Sequence, residues 1–525
     1  MLKILGYCDQ LSAAPGETVR FMVSCEAERY RAEIVRIIHG DANPAGPGLK
    51  LEPVAASIDA EYPGRRQTID AGSYAIVPDH PRLRALDSFT VMAMVWPTTP
   101  ERGRQALMGR RDPTSGAGFA LEIRDGGLAF IVGDAGGGEI AVVSERPMLK
   151  RRWYLVAASY DRAQELVTLV QRPLARHPHI DDEALVTETV ALAPEDCAAP
   201  LLMAGAAMAD GTVDLHYNGK LDGPALFDRA LEPAELDAAL LRPMPQSLRR
   251  NLIGAWDFSK AIPSTRIVDG GSLGLDGAIV NLPARAMKGW RWSGETMRWT
   301  DRPEEYGAIH FHDDDLYDAG WQADFEITVP EGMRSGAYAA HVWCGTAEDG
   351  SEEDYITFLV RPPRGPAGKA GRPRAAFLAP LASYMAYAND RNHLDGERAE
   401  MLMGRLLVYQ TADLYLQEHR ELGCSLYDVH SDGSGVSTSS YLRPVLNMRP
   451  KYASWLGAHG SGLWQFNADT HLFAWLAHQG VEVDVITDLD LEQEGVVALE
   501  PYRVILTGTH PEYHSKRMSD AMLAW

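Results

Sequence analysis

Cysteine is scarce in this 525-residue chain and follows no pattern: Cys8, Cys25, Cys197, Cys344 and Cys424, with no C-x-x-C pair. An odd, scattered set argues against a disulfide framework or a thiolate zinc site, and points to a reducing, cytoplasmic setting. No stretch approaches the roughly 18 apolar residues that a membrane helix needs, and "MLKILGYCDQ" lacks the apolar core of a signal peptide. Basic residues are in deficit, 50 Lys and Arg against 72 Asp and Glu, for a net charge of −22. Such a surface repels phosphate, which argues against nucleic acid and anionic membranes as partners. The turn that follows "YRVILTG" (502–508) carries neither a G-x-S-x-G nucleophile elbow nor a cysteine.

What remains is ordinary soluble-protein composition, 46% hydrophobic and 23% charged, in a chain long enough for three or four domains. The fold class expected is multidomain β plus α/β. Residues 1–65 carry sandwich-type strands ("ETVRFMVSC", "YRAEIVRIIHGD"). Residues 66–260 carry short strands separated by Gly, Pro and Asp. "RDGG" marks a hairpin turn there, because glycine reaches positive φ without strain. The order of strands, ending in "FDRALEPAEL", resembles a concanavalin or laminin-G-like jelly roll. Residues 261–365 form a second β-rich segment, expected to pack with 1–65, and "RPPRGPAGKAGRPR" (361–374) reads as a linker. From 366 the period changes. "AAFLAP", "VEVDVITD" and "YRVILTG" are buried-type strands. They alternate with helical patterns at 398–420 (Met403, Leu406, Leu407, Ala412), at "ADTHLFAWLAHQG" closed by Gly480, and at "HSKRMSDAMLAW". Strand–helix alternation predicts an open parallel α/β sheet, of glutamine-amidotransferase-like type, over 366–525. Three strands are few for such a sheet and Trp525 falls in mid-helix, so a longer polypeptide is expected.

Ligands of open α/β sheets bind beyond the carboxyl ends of strands. There "LTGTHPEYHS" places His510 and Glu512 in a turn. By spacing alone they either cap the next helix, where a carboxylate gains about 0.3–1 kcal/mol, or form a site. Cys424 in "LGCSLYDVH" has no base at a fixed offset, so a packed small residue is the plainer reading. Asp428, His430, Asp432 and Gly433 echo a calcium loop, but His430 takes an oxygen-ligand position and Ser439 stands where the closing Glu belongs. His310 and His312 in "HFHDDD" offer zinc-ligand types with Asp313 or Asp315; the plainer reading puts two histidines on one face of an edge strand.

Four stretches taken together, "SYMAYAND" (383–390), "GCSLYDVHSDGSG" (423–435), "VEVDVITDLDL" (481–491) and "GTHPEYHSKRM" (508–518), resemble the large (beta) subunit of the N,N-dimethylformamidase family. The resemblance implies a hydrolase cleaving the C–N bond of small N-substituted formamides. It implies a mononuclear Fe(III) centre held by Tyr387, Tyr427 and Glu512, with Tyr384 as the alternative to Tyr387. His510 and Glu512 are then the catalytic residues, and Tyr384 and Asn389 touch substrate. A small subunit in an α2β2-type hetero-oligomer is implied too. A hard trivalent ion prefers phenolate and carboxylate oxygens. The competing readings are a non-catalytic jelly-roll binding protein and a cysteine-dependent, amidotransferase-like enzyme using Cys424.

Overall fold

The computed structural model describes residues 2–84, 86–348, 350–363, 373–391, 400–401, 404, 408–454 and 464–525. They divide into two compact units. One comprises Met1–Ile69, Leu316–Val429 and Gly435–Trp525, the other Asp70–Asp315 with His430–Ser434.

The second unit is antiparallel β throughout its main sheets. Strand Phe89–Pro97 pairs with Tyr154–Asp161 on one side and Gly219–Phe227 on the other. It is buried on both faces, and strand periodicity sorts its side chains. Phe89, Val91, Ala93 and Val95 enter the large sandwich core. Met92 and Met94 face a separate apolar layer that includes Leu236 and Ala239 of helix Pro233–Ala239. The expected hairpin joins Gly118–Arg124 to Gly127–Gly133. Its turn residues Asp125 and Gly126 have φ of 51° and 85°, as a two-residue turn between right-twisted strands requires.

In the first unit, strands Ile4–Cys8, Thr18–Cys25 and Ala323–Thr328 form one antiparallel sheet. Arg29–His39, Gly336–Trp343 and Glu353–Val360 anchor a second. Phe21 of the first stacks on Phe325 (5.2 Å between ring centres) and meets Phe358 of the second edge-on at 5.6 Å. The same unit holds a parallel sheet with Ala375–Ala379 between Asp484–Thr487 and Val504–Thr507. Its central strand is buried on both sides, with Phe377 and Ala379 in the sandwich-side core and Ala376 and Leu378 against the opposite helices. Helices Leu381–Ala386, Gln465–His478, Asp488–Glu494 and Lys516–Ala524 alternate with these strands as expected, and Gly480 follows the second with φ of 69°.

The structure divides the stretch 261–365 differently from the sequence reading. Up to Asp315 it belongs to the jelly-roll unit, and from Leu316 it joins the N-terminal strands. The reason lies in pairing: Ala308–Phe311 bonds to both Gly219–Phe227 and Ala284–Met287, whereas Ala323–Thr328 bonds to Thr18–Cys25. His310 therefore sits on an interior strand, not an edge. Within the expected helix at 398–420, Thr411–Glu418 is helical with Ala412 buried. Met403, Leu406 and Leu407, and most of the linker at 361–374, lie outside the described residues.

Candidate active site

Three segments carry the site, two of them following strands of the parallel sheet. After Ala375–Ala379, Pro380 ends the strand and helix Leu381–Ala386 begins. Its first turn is held by Asp488, whose carboxylate accepts from the Ala382 N–H at 2.8 Å. The helix lasts six residues, and Tyr387 stands at its C-terminal boundary with φ −100° and ψ 8°. Leaving helical geometry there separates Tyr387 from Tyr384, which regular spacing would place on the same face.

The second turn, Ser425–Asp428, is tied to that helix end by Leu426 N–H donating to the Ala386 carbonyl at 2.8 Å. It braces itself through Ser425 N–H to Asp428 (2.8 Å) and Tyr427 N–H to Ser425 Oγ (3.1 Å). The third turn follows Val504–Thr507. A Cβ at Gly508 would lie 2.3 Å from an Asp469 carboxylate oxygen and 2.9 Å from Pro380 Cδ, so only glycine admits this close approach. Ser383 Oγ then accepts from Glu512 N–H at 2.9 Å, fixing the turn over the first helix.

These supports bring three oxygens together. The Tyr387 hydroxyl donates to Glu512 Oε2 at 2.7 Å and the Tyr427 hydroxyl to the same oxygen at 3.0 Å. The two phenol rings stack, centres 4.1 Å apart and 13° from parallel. His510 Nε2 lies 3.0 Å from the same Glu512 oxygen. Burial, reinforced by the acidic partner, pushes the Tyr387 phenol up to about 12. Tyr427 moves the same way, through burial and then its hydrogen bonds to Tyr387, Tyr513 and Glu512. The phenol donors, Tyr387 foremost, in turn hold the Glu512 carboxyl below its ordinary value.

The donor set fits a hard cation. Two phenol oxygens within 2.7–3.0 Å of one carboxylate oxygen have the mutual spacing of ligands bound at roughly 2.0–2.2 Å to a single ion. The cation would replace the shared protons, and its charge would offset the cost of ionising two phenols.

Other sequence-derived assignments fare differently. Glu512 and His510 do not cap the following helix; Ser515 does, accepting from Met518 N–H at 3.0 Å. Tyr384 is fully enclosed, with its hydroxyl on Asp469 and its ring edge-on to Phe466, so its oxygen is already engaged away from the Glu512 oxygen. Asn389 is likewise structural. It adopts φ 60°, donates to the Leu422 and Pro444 carbonyls (3.2 and 2.8 Å) and accepts from Leu446 N–H at 2.8 Å, leaving it little capacity for substrate. Cys424 is buried, 4.0 Å from an Arg391 guanidinium nitrogen, as a packed small residue would be.

Two further residues join the cluster: Tyr513, which the sequence places at this strand mouth without a role, and Trp464. Tyr513 shares a 2.7 Å hydrogen bond with Tyr427, and its place in "HPEY" was the available signal. Trp464 meets Tyr387 edge-on at 5.5 Å and lies 5.2 Å from the His510 ring; nothing in its local sequence marks it.

Comparison with known proteins identifies the family. Residues 284–525 match the family described as N,N-dimethylformamidase beta subunit-like, C-terminal. Residues 70–237 match the concanavalin A-like lectin/glucanase superfamily, so the jelly-roll unit is of laminin-G-like type. The N,N-dimethylformamidase beta subunit of Paracoccus aminophilus is 40% identical over 544 residues, covering 99% of this chain and 69% of the relative. The chain belongs to the N,N-dimethylformamidase beta-subunit family. The Alcaligenes sp. protein of the same name is 37% identical over 542 residues, with the same coverage of both chains. This dimethylformamidase-like chain is thereby a hydrolase of the class acting on C–N bonds of linear amides.

Proposed function

We propose that the chain hydrolyses small N-substituted formamides, with N,N-dimethylformamide giving formate and dimethylamine, at the turns holding Tyr387, Tyr427 and Glu512. The observation that carries this reading is the meeting of both phenol hydroxyls on one Glu512 oxygen, with His510 on the same atom. Tyr387, Tyr427 and Glu512 would hold one ferric ion. Such an ion supplies Lewis-acid polarisation of the amide carbonyl and acidifies water at neutral pH.

The chain's own groups do the rest. Trp464, edge-on to Tyr387 and beside His510, covers one side of the cluster and limits water there, which strengthens electrostatic effects on developing charge. As water oxygen bonds to the carbonyl carbon, water gives one proton to His510 Nε2, which passes it to the amine nitrogen as the C–N bond breaks and the amine departs. Glu512, 3.0 Å away, orients that imidazole. Tyr513 holds the Tyr427 oxygen through its 2.7 Å contact. The α/β region serves as the catalytic part, in a glutamine-amidotransferase-like arrangement. The name beta subunit carried by both relatives supports a small partner subunit in an α2β2-type assembly. That the five cysteines form no disulfide accords with a reducing, cytoplasmic setting.

The test is hydrolysis of a panel of N-alkyl formamides, acetamides and unsubstituted amides, before and after metal removal and after iron alone is restored. We expect formamide cleavage that disappears with the metal and returns with iron. Undiminished cleavage by the metal-free protein would overturn the reading.

A further inference from the structure

Two motifs that the sequence reading set aside meet in the jelly-roll unit. His310 lies within the buried strand Ala308–Phe311, and His312 follows directly after it. The short segment His430–Ser434 brings His430, Asp432 and Ser434 against them. The rings of His310 and His312 lie 4.1 Å apart and His430 stacks on His312 at 3.7 Å. His310 Nε2 and Asp432 Oδ2 are 3.3 Å apart, with side chains 5% and 0% exposed. Yet neither atom has a hydrogen-bond partner among the described residues. Two buried polar atoms left facing one another each carry a desolvation cost. His312 Nε2 points to the same place, 3.9 Å from Asp432 Oδ2.

We infer that His310 Nε2, His312 Nε2 and Asp432 Oδ2 form a binding site for one divalent transition-metal cation, zinc by donor type, separate from the tyrosine–glutamate cluster. The inference does not rest on the proposed amide hydrolysis.

The surroundings are those of a prepared ligand set. Asp315 Oδ2 lies 3.1 Å from His312 Nδ1 and also accepts from Ser73 Oγ at 2.6 Å. This fixes the tautomer that leaves Nε2 with its lone pair free, the arrangement of carboxylate–histidine–zinc triads. Asp432 is oriented likewise. Its Oδ1 accepts from Ser434 N–H at 2.8 Å and from Ser434 Oγ at 2.5 Å, which turns Oδ2 inward. The three ligand atoms lie within 4.8 Å of one another, and the 3.3 Å pair already matches the ~3.3 Å edge of a tetrahedron with bonds near 2.0–2.1 Å. Ser434 Oγ, 2.9 Å from His312 Nε2, or a water completes four-coordination. A second grouping, His312 with Asp315 and His430, competes for His312, and Asp315 is already engaged in orienting it. The enclosed position makes the site structural: the cation pins residues 430–434 to the strand carrying His310.

The test uses the full chain, stripped of metal and dialysed against zinc alone, in wild type and in Tyr427→Phe, so that the iron cluster does not contribute. We expect one zinc per chain in both. Cobalt alone should show the absorption of a four-coordinate, imidazole-bound ion and be displaced by zinc. Asp432→Asn, which keeps the Ser434 contacts, and His310→Gln should lose zinc by more than tenfold in affinity while their circular dichroism is unchanged. Folded wild-type protein that retains no zinc would overturn the proposal in favour of a plain His310–Asp432 ion pair, as would retention undiminished in both variants. Should neither variant fold, an absence of the imidazole-bound cobalt spectrum in wild type would overturn it.

Discussion

The two clusters differ in donors, depth and support. In the α/β region the donors are two phenols and a carboxylate, with the Glu512 side chain 40% exposed. In the jelly roll they are two imidazoles and a carboxylate, with side chains 5% exposed or less. Hard oxygen donors at an accessible sheet rim suit an ion that must meet water and substrate. Imidazoles in an enclosed core suit an ion that holds chain segments together. The contrast teaches that donor chemistry and access vary together: oxygen donors stand at the more exposed cluster and imidazoles at the enclosed one.

Five substitutions break or sharpen this contrast. The largest effect is expected for Tyr387→Phe and Tyr427→Phe. Each removes one oxygen donor, so iron and amide hydrolysis are both lost, read by metal analysis and product formation, while zinc in the jelly roll is untouched. His510→Gln comes next. It removes the proton donor but no iron ligand, so iron stays and kcat falls by roughly 10²–10⁴-fold. Retention of full activity would remove His510 from the chemistry. Asn389→Ala follows, with an effect on stability instead. It strips partners from two buried carbonyls and an N–H, and denaturant unfolding is expected to show about 1–3 kcal/mol of loss with iron retained under native conditions. Cys424→Ala should do least, leaving kcat unchanged; abolished turnover would restore the cysteine-dependent alternative.

The sequence carried most of the architecture because periodicity and turn chemistry are local. Short apolar runs between Gly, Pro and Asp marked strands such as Phe89–Pro97, "RDGG" found the hairpin at Asp125–Gly126, and Gly480 marked the end of a helix. The tyrosine–glutamate cluster was legible only through resemblance, since Tyr427 and Glu512 are 85 residues apart and no spacing rule links them. The choice between Tyr384 and Tyr387 needed the structure. It depends on the helix ending at Ala386, which sends one phenol to the rim and leaves the other in the core. The grouping of the histidines was not legible for a related reason. Each half looked like a defective motif on its own, and the halves are separated by over a hundred residues; His312 and Ser434 are 122 apart. Only the excursion of residues 430–434 into the jelly-roll unit unites them. Likewise, Gly508 read as a strand terminator, while its actual constraint is the Asp469 carboxylate pressed against it.

The most direct test of the central claim is visible absorption of the iron-loaded chain, compared across wild type, Tyr427→Phe and Tyr384→Phe. Phenolate bound to ferric iron gives an intense charge-transfer band. The arrangement of Tyr387, Tyr427 and Glu512 predicts that band in wild type, its loss or strong displacement in Tyr427→Phe, and its preservation in Tyr384→Phe, whose hydroxyl is engaged by Asp469. A band that survives Tyr427→Phe unchanged, or vanishes in Tyr384→Phe, would contradict it.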